Sequence, residues 1–270
     1  MQKISNIFIA FLTIILIVSC SPYQKVLNRG KVNERYKMGT ELYKEGKYAK
    51  ALTLLEKVIP LYTGKPQLER VKYMVADSHF KIKDYTLAGY YFRQFANTYQ
   101  KSSKREEALF LSAKSYYYAA PKYNLDQTDT HKAIEVLQDF INTYPNSAKL
   151  KEANQIYKVL SERLEKKYFE ISKQYLTLEK YKAAIVSFDN FLEDFPGTKY
   201  KEQALYLKFK AAYQLGMKSI FQKKENRIKN AIAVYNKIKK TFPNSKYQED
   251  LDTKKTTLNK ELKELTKQTK

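Results

Sequence analysis

The residue types that most often carry chemistry are scarce in this chain. Its 270 residues contain two histidines, His79 and His131, and one cysteine, Cys20. The histidines are too far apart in sequence to suggest a metal cluster or a histidine-centred catalytic site, and one cysteine can form neither a disulfide framework nor a cysteine-based zinc site. Catalysis by carboxylates stays open. We therefore expect no metal, no cofactor and no catalytic residues, and a protein that is not an enzyme.

Cys20 lies at the end of an N-terminal segment with its own composition. One cation, Lys3, precedes an apolar run over residues 4–18. At roughly 15 residues this run is shorter than the about 20 that cross a bilayer, and it is typical of a signal peptide. The stretch 17–20 (IVSC) resembles the bacterial lipobox, which predicts cleavage of residues 1–19 and acylation of Cys20, for example by palmitate. The alternative is a transmembrane helix that ends in a cysteine.

The residues after Cys20 bear on the location of the protein. Ser21 stands where an aspartate is typical of lipoproteins retained in the inner membrane of well-studied Gram-negative bacteria. Residues 21–25 also lack the acidic cluster that resembles a surface-export signal. By resemblance to these signals, we expect a lipid anchor in the outer membrane, a body on the periplasmic face, and a lipidated linker over residues 20–32.

The rest of the chain repeats one pattern. A tyrosine followed three residues later by an alanine recurs at Tyr48–Ala51, Tyr85–Ala88 and Tyr181–Ala184, and two degenerate copies centre on Ala133 and Ala231. A bulky residue follows each alanine after four positions, and a proline follows three of the alanines after twelve. In an antiparallel helix pair, a small residue lets the helices approach and a large residue one turn later fills the space beside it. Five copies of this pattern predict a repeat protein.

The pattern resembles the tetratricopeptide repeat, which implies an all-α fold: an α-solenoid of about five irregular helix pairs over residues 33–250. A serine or threonine follows each proline by two residues and is predicted to cap the next helix. Successive alanines are further apart than the about 34 residues of the standard repeat. We expect part of this excess in inserted turns at residues 118–130 and 217–230, which either carry binding surface or are tolerated insertions.

Two stretches that lead into the third and fourth repeats sharpen the resemblance. They are residues 126–134 (DQTDTHKAI) and residues 164–171 (LEKKYFEI). With the lipobox and the repeats, they resemble the BamD family, the outer-membrane lipoproteins of the β-barrel assembly machinery, over roughly residues 36–249. Family members often carry an arginine in the second helix of repeat four, where this chain has Val186–Phe188. A partner contact made through that arginine is therefore not carried over.

The resemblance implies a scaffold. Its C-terminal repeats would hold a BamA-type barrel protein, its N-terminal repeats would present unfolded outer-membrane proteins, and its anchor would reach outer-membrane lipid. Other lipoproteins of the assembly machine are further expected partners. The alternative is another periplasmic tetratricopeptide lipoprotein that coordinates envelope biogenesis or cell division, which would lack the two stretches. A glycan-capturing lipoprotein is disfavoured because the chain has no tryptophan, the side chain that stacks best on sugars.

A stripe of residues at helical spacing, on the first helices of repeats one and two, is the candidate substrate-peptide groove. Its residues are Asn33, Tyr36, Thr40, Tyr43, Arg70, Tyr73, Asp77 and Phe80. Aromatic rings there would grip the aromatic end of an extended strand, and Arg70 with Lys44 or Lys81 would pair with its carboxylate. The alternative is that the tyrosines pack between neighbouring repeats.

The chain is strongly basic, with 50 Lys+Arg against 28 Asp+Glu and a net charge of +22. Such an excess of positive charge generally favours binding to nucleic acid. An exported lipoprotein is not routinely exposed to nucleic acid, so we expect no nucleic-acid partner. The excess either attracts anionic lipid head groups or reflects compositional bias. In the basic C-terminal tail, residues 251–270, sparse leucines predict either a continuing helix or a frayed end.

Overall fold

The computed structural model describes residues 21–268, so the predicted signal peptide over residues 1–19 and the predicted lipidation site Cys20 lie outside the described residues. Within the described part, the chain forms twelve α-helices and one short 3₁₀ turn (Ile59–Tyr62), and no strand. The helices are α1 (Pro22–Arg29), α2 (Val32–Lys44), α3 (Tyr48–Val58), α4 (Gln67–Lys81), α5 (Tyr85–Thr98), α6 (Arg105–Ala119), α7 (Thr128–Thr143), α8 (Leu150–Thr177), α9 (Tyr181–Asp194), α10 (Lys201–Met217), α11 (Phe221–Thr241) and α12 (Gln248–Gln268). None of the described helices combines the length and the apolar character needed to span a membrane.

Ten of the helices form five consecutive pairs, from α2/α3 to α10/α11, and α12 follows the last pair. The alanine of every repeat lies on the second helix of its pair and is completely buried. These alanines are Ala51, Ala88, Ala133, Ala184 and Ala231, each 0% exposed. The predicted all-α, tetratricopeptide-like solenoid of about five helix pairs is therefore confirmed.

Two glycines allow close contacts between neighbouring helices. A Cβ atom on Gly39 of α2 would lie 3.0 Å from Cδ2 of Leu55 on α3, and one on Gly89 of α5 would lie 2.8 Å from the ring of Tyr116 on α6. Real Cβ atoms do not approach neighbours so closely without a shift of the packing. Gly39 therefore lets the two helices of its pair approach, whereas Gly89, which follows Ala88 on α5, lets the first helix of the next repeat approach.

Three turns inside the pairs close in the same way. Gly46, Lys83 and Glu179 each follow a first helix with a positive φ angle, of 75°, 64° and 55°. In each turn the next backbone N–H donates to the carbonyl five residues before it, at 2.9 Å, which is the Schellman arrangement. Only glycine adopts this conformation without strain, so Lys83 and Glu179 hold it at some cost in stability.

The extra residues between repeats lie mostly in longer helices. The expectation of an inserted turn at residues 217–230 is wrong, because α10 ends at Met217 and α11 already begins at Phe221. The sequence of α11 contains neither glycine nor proline to interrupt it. Likewise, α8 has 28 residues and absorbs the excess before repeat four. A true loop, residues 120–127, occurs only between α6 and α7 among the pairs of the described chain.

The described chain forms two compact units. The first comprises residues 21–121 and 126–160, and the second comprises residues 122–125 and 161–268. Each unit has its own buried aromatic and aliphatic side chains. The first unit buries Phe92, Phe95, Leu137 and Phe140, and the second buries Phe188, Phe191, Phe209 and Leu258.

Helices also occupy parts of the segments that the sequence predicts as a linker and a tail. Helix α1 lies within residues 20–32, and the carbonyl of Val26 in α1 accepts a hydrogen bond from Nε of Arg35 at 3.4 Å. Helix α12 runs through the predicted tail, and its Leu251 and Leu258 are 0% exposed in the core of the second unit. The described part of the tail is therefore a packed helix, as the first of the two alternatives for its leucines predicts.

Candidate functional site

A hydrogen bond between one repeat and the element that follows it recurs four times. In three cases a glutamate on the first helix of one repeat accepts a bond from a serine or threonine hydroxyl that precedes the first helix of the next repeat, and in the fourth case the hydroxyl precedes α12, which follows repeat five. The pairs are Glu69–Ser102 (2.6 Å), Glu106–Ser147 (2.6 Å), Glu165–Thr198 and Glu202–Ser245 (2.8 Å). Hydrogen bonds to a charged acceptor contribute more than neutral ones, about 1.5–3 kcal/mol each. These bonds fix where neighbouring first helices lie relative to each other.

The same hydroxyls also organise the turn before the next helix. Each accepts a bond from the backbone N–H two residues later, at 3.0–3.2 Å. The predicted capping of α10 by Thr198 is wrong: Thr198 bonds the N–H of Tyr200, α10 begins at the next residue, and no side chain of the described residues caps its first turn. Glu202, the second residue of α10, accepts bonds from Ser245 and from the N–H of Lys246.

That turn places one side chain over an aromatic ring of the preceding repeat. The ring lies four residues, about one helical turn, after the bonded glutamate. In chain order, the four pairs are Lys104 over Tyr73 (5.3 Å to the ring centroid), Lys149 over Phe110 (6.0 Å), Tyr200 stacked on Phe169 (4.5 Å between centroids) and Tyr247 stacked on Tyr206 (3.9 Å). The first unit thus presents a cation to the ring, whereas the second unit presents another ring.

The first unit contains a pocket of about 430 Å³ between α2, α4 and the start of α6. Aromatic and apolar side chains form its walls and charged side chains form its rim. The lining residues are Tyr43, Lys44, Pro66, Glu69, Arg70, Tyr73, Met74, Phe95 and Lys104. Three members of the predicted stripe, Tyr43, Arg70 and Tyr73, therefore meet in one place together with the predicted cation Lys44. Lys81 is not part of this pocket.

Hydroxyl–carboxylate bonds hold the two tyrosine rings of the pocket. Tyr43 donates its hydroxyl to Oδ2 of Asp77 at 2.5 Å, and Tyr73 donates its hydroxyl to Glu107. Burial is the main reason why the pKa of Tyr43 and the pKa of Tyr73 are raised, and the neighbouring carboxylates add to it. Both hydroxyls therefore stay protonated at neutral pH and keep their rings in place.

Two cations of the pocket have no ion-pair partner among the described residues. Nζ of Lys104 lies 2.8 Å from Oε2 of Glu107, and this bond, with the one from Tyr73, holds the pKa of Glu107 below its usual range. Within residues 21–268, Lys44 and Arg70 are exposed and form no ion pair. These two cations are available to a carboxylate ligand.

The remaining stripe residues lie outside the pocket and make structural contacts. Tyr36 packs against Tyr62 with ring centroids 5.4 Å apart, and the Tyr62 hydroxyl donates to Oδ1 of Asn33 at 3.3 Å. Thr40 donates to a carbonyl of its own helix at 2.8 Å. Phe80 packs among aromatic rings of α5 and α6. The part of these residues in a substrate groove stays a prediction.

Among the residues of the site that sequence reasoning missed are three beyond the two stripe helices: Phe95 on α5, and Lys104 and Glu107 at the start of α6. They come from later helices than the stripe, so the spacing along α2 and α4 gave no information about them. The available signal was the recurrence of a serine or threonine between repeats. When the repeats are aligned on that hydroxyl, Lys104 falls two residues after it and Glu107 five residues after it.

The second unit has two hollows on either side of Val186 of α9, which is 58% exposed. One hollow, of about 410 Å³, lies between α8 and α9 and includes Tyr168 and Tyr175. The other, of about 450 Å³, lies between α9, α10 and α11 and includes Ile185 and Val234. The segment that departs from the BamD family pattern is therefore an exposed apolar position between two concave surfaces.

Neither histidine belongs to these sites. His79 is buried, with Nδ1 3.0 Å from Oδ2 of Asp84 and its ring stacked on Tyr91, and His131 is exposed on α7. Among residues 21–268, no group of three or more His, Cys, Asp or Glu side chains could hold a metal ion. The expectations of no cofactor and no catalysis stay predictions.

The helix pairs, the buried alanines and the bonds between repeats define a tetratricopeptide-repeat protein, and a tetratricopeptide-repeat model matches residues 210–245. A longer match assigns the chain to a family. Residues 28–227 match the family model described as outer membrane lipoprotein (YfiO). The chain belongs to this family, the BamD family, and the resemblance read from the sequence is confirmed.

Curated relatives agree with this assignment. An outer membrane protein assembly factor BamD of Haemophilus influenzae is 21% identical over 215 residues, which cover 76% of this chain and 82% of that protein. A BamD of Rickettsia prowazekii is 24% identical over 248 residues, 91% of this chain and 95% of that protein. A putative BamD of Aquifex aeolicus is 33% identical over 129 residues, 45% of this chain and 40% of that protein.

A solved structure that resembles this chain is that of a TPR repeats protein from Bacteroides fragilis. It is 17% identical in sequence, the match covers 88% of this chain and 95% of that protein, and the TM-score is 0.40. The repeat fold of the present chain is established by its own helix pairs, and a likeness at this TM-score adds nothing to it.

Proposed function

We propose that this chain is a non-catalytic scaffold of the β-barrel assembly machinery. Acyl chains on Cys20 anchor it to the periplasmic face of the outer membrane, its second unit binds a BamA-type barrel protein, and its first unit presents unfolded outer-membrane proteins for insertion. Family membership supports the general role, because the curated relatives are outer membrane protein assembly factors. The specific role depends on one observation, the cationic and aromatic pocket of the first unit.

The pocket suits the end of an extended strand that carries an aromatic side chain and a free carboxylate. Tyr43 and Tyr73 offer ring faces and edges to an aromatic side chain. Arg70 can form two parallel hydrogen bonds with a carboxylate, and Lys44 adds a second positive charge. Because Tyr43 and Tyr73 are already fixed by their carboxylate partners, little side-chain entropy is lost when a peptide binds.

The second unit offers a different surface for the barrel protein. Val186 stands between the two hollows, and the lining of the 450 Å³ hollow is mostly apolar side chains such as Ile185 and Val234. Apolar side chains of a partner would fill these hollows and contact Val186, so that burial of apolar surface replaces the arginine contact of other family members.

The pocket is tested by removing its free cations. In the full-length protein, the double substitution Lys44→Ala and Arg70→Ala should weaken binding of a barrel-protein C-terminal peptide about tenfold or more, because charge-assisted hydrogen bonds to the carboxylate are lost. Fluorescence anisotropy of a labelled peptide measures the affinity. A peptide with an amidated C-terminus should bind the unchanged protein with a similar loss.

The matched control is the double substitution Lys37→Ala and Lys57→Ala, which removes the same charge from exposed lysines outside the pocket. It should leave the affinity within about twofold, since exposed charges at a distance are screened by salt. Unchanged peptide affinity in the folded Lys44/Arg70 variant, or an equal loss in the control, would overturn the pocket as the substrate site.

A further inference from the structure

Two turns of the second unit lie side by side at one edge. Lys218, in the turn between α10 and α11, donates from Nζ to Oε2 of Glu179 at 2.8 Å and is 3.0 Å from the hydroxyl of Tyr181. Glu179 and Tyr181 belong to the turn between α8 and α9 and its continuation. Whatever the two turns expose is therefore presented together, and we call this surface the turn edge.

The turn edge exposes large apolar side chains at its tips. Leu178 is 57% exposed, Ile220 is 63% exposed and Phe221 is 51% exposed. Ile220 is the N-cap of α11 and Phe221 is its first residue, so both lie at the tip of the turn. Apolar side chains at the tip of a turn can insert into the interfacial region of a lipid bilayer. An exposed apolar patch of this kind marks a membrane or protein contact.

The charges around these tips are arranged for an anionic partner. The nearby carboxylates are already neutralised: Glu179 by Lys218, Glu225 by Lys229 and Glu261 by Lys224. Within the described chain, three exposed lysines of the turn edge have no ion pair; they are Lys180, Lys182 and Lys223. Paired carboxylates and unpaired lysines leave a net positive ring around apolar tips.

We propose that the turn edge docks on an anionic phospholipid surface. Leu178, Ile220 and Phe221 enter the boundary between head groups and acyl chains, and the free lysines contact the phosphates. Each lysine close to an anionic membrane favours binding by roughly fivefold, and the apolar side chains add their transfer from water. The inference rests on the outer-membrane lipoprotein family of the chain and not on the peptide pocket, so peptide affinity and lipid contact can fail separately.

The absence of tryptophan from the sequence gives a direct test. The variant Phe221→Trp carries a single tryptophan at the turn edge. The full-length protein is reconstituted in vesicles of equal parts phosphatidylethanolamine and phosphatidylglycerol, with or without bromine-labelled acyl chains. We expect a blue-shifted tryptophan emission that the bromine atoms quench. The matched control is Tyr90→Trp, at a similarly exposed position (52%) of the first unit, and its emission should stay water-like and unquenched.

Charge reversal sharpens the test. Adding Lys180→Glu, Lys182→Glu and Lys223→Glu to Phe221→Trp should reduce the ratio of docked to undocked protein more than tenfold, so quenching should be lost while helical circular dichroism is kept. Two results would overturn the proposal: emission from Phe221→Trp as water-like as that of Tyr90→Trp, or a blue shift that requires added barrel protein and occurs without bromine quenching, which would assign the turn edge to a protein partner.

Discussion

The two units contain the same bond between repeats but cover the neighbouring ring differently. Tyr73 in the first unit and Tyr206 in the second each lie four residues after the bonded glutamate, and each donates its hydroxyl to a carboxylate, at 3.0 Å from Asp250 in the case of Tyr206. Lys104 lies over Tyr73, whereas Tyr247 stacks on Tyr206 with ring planes 1° apart. The residue two positions after the serine therefore decides whether the ring stays open.

This difference separates a binding role from a packing role. A lysine over a partly buried ring contributes about 1 kcal/mol and leaves space beside it, which in the first unit is the pocket. A tyrosine over a ring excludes water from both faces and adds buried apolar area. The same repeat position thus leaves a pocket in one unit and adds ring packing in the other.

Truncation of the covering side chains should show the largest effect of this difference. Tyr247→Ala in the second unit should lower the free energy of unfolding by about 2 kcal/mol, because a stacked ring is lost. Lys104→Ala in the first unit should cost less than about 1 kcal/mol. Urea denaturation followed by circular dichroism measures both. Equal losses of unfolding free energy in the two variants would contradict the proposed difference between the two covering side chains.

Alkaline pH should give a graded loss of stability. Burial raises the pKa of Tyr43 and Tyr73, and burial with the Asp250 bond raises the pKa of Tyr206 to about 12. A tyrosine with a raised pKa contributes stability that is complete below its unfolded pKa, about 10, and is lost as the pH rises through its folded pKa. The free energy of unfolding should therefore fall above about pH 10.

Substitution by phenylalanine separates the units in this pH experiment. Tyr73→Phe should cost about 1 kcal/mol at neutral pH through its lost hydrogen bond and make the alkaline decline shallower. Tyr206→Phe should also lower the free energy of unfolding at neutral pH and make the alkaline decline shallower. The decline that it removes is the part that ends near pH 12, the pKa of Tyr206 in the folded protein. A decline that stays unchanged in both variants would contradict the assignment of these tyrosines.

The smallest expected effect is a stabilisation at the turns. Lys83→Gly should raise the free energy of unfolding by about 0.5 kcal/mol, because the relief of left-handed strain slightly exceeds the entropic cost of glycine. Glu179→Gly should gain less, since it also removes the bond to Lys218. Thermal unfolding of both variants measures the difference. A lower stability of Lys83→Gly would show that this turn is not strained.

The repeat fold could be predicted because its signals are local. An alanine and a bulky residue one turn later identify each second helix, and all five alanines are buried as that pattern requires. Helix length was less predictable. The spacing near residues 217–230 predicts a turn wrongly, because spacing alone does not distinguish a loop from a longer helix, although α11 contains no glycine or proline.

The candidate site could be predicted only in part, for a geometric reason. Helical spacing brought Tyr43, Arg70 and Tyr73 onto one face, and the structure places them in one pocket. Spacing within two helices cannot identify what the following repeat contributes, so Lys104 and its partner Glu107 were missed. The hydroxyl–glutamate bonds that set this register join residues of consecutive repeats.

Site-specific photo-crosslinking during outer-membrane protein assembly tests the central claim most directly. A photoreactive phenylalanine analogue replaces Tyr73 in one variant and Tyr206 in another, two equivalent positions of the repeat. The account predicts crosslinks between unfolded outer-membrane proteins and position 73, and none at position 206. Crosslinks at position 206 alone, or at neither position while assembly proceeds, would contradict the assignment of substrate binding to the first unit.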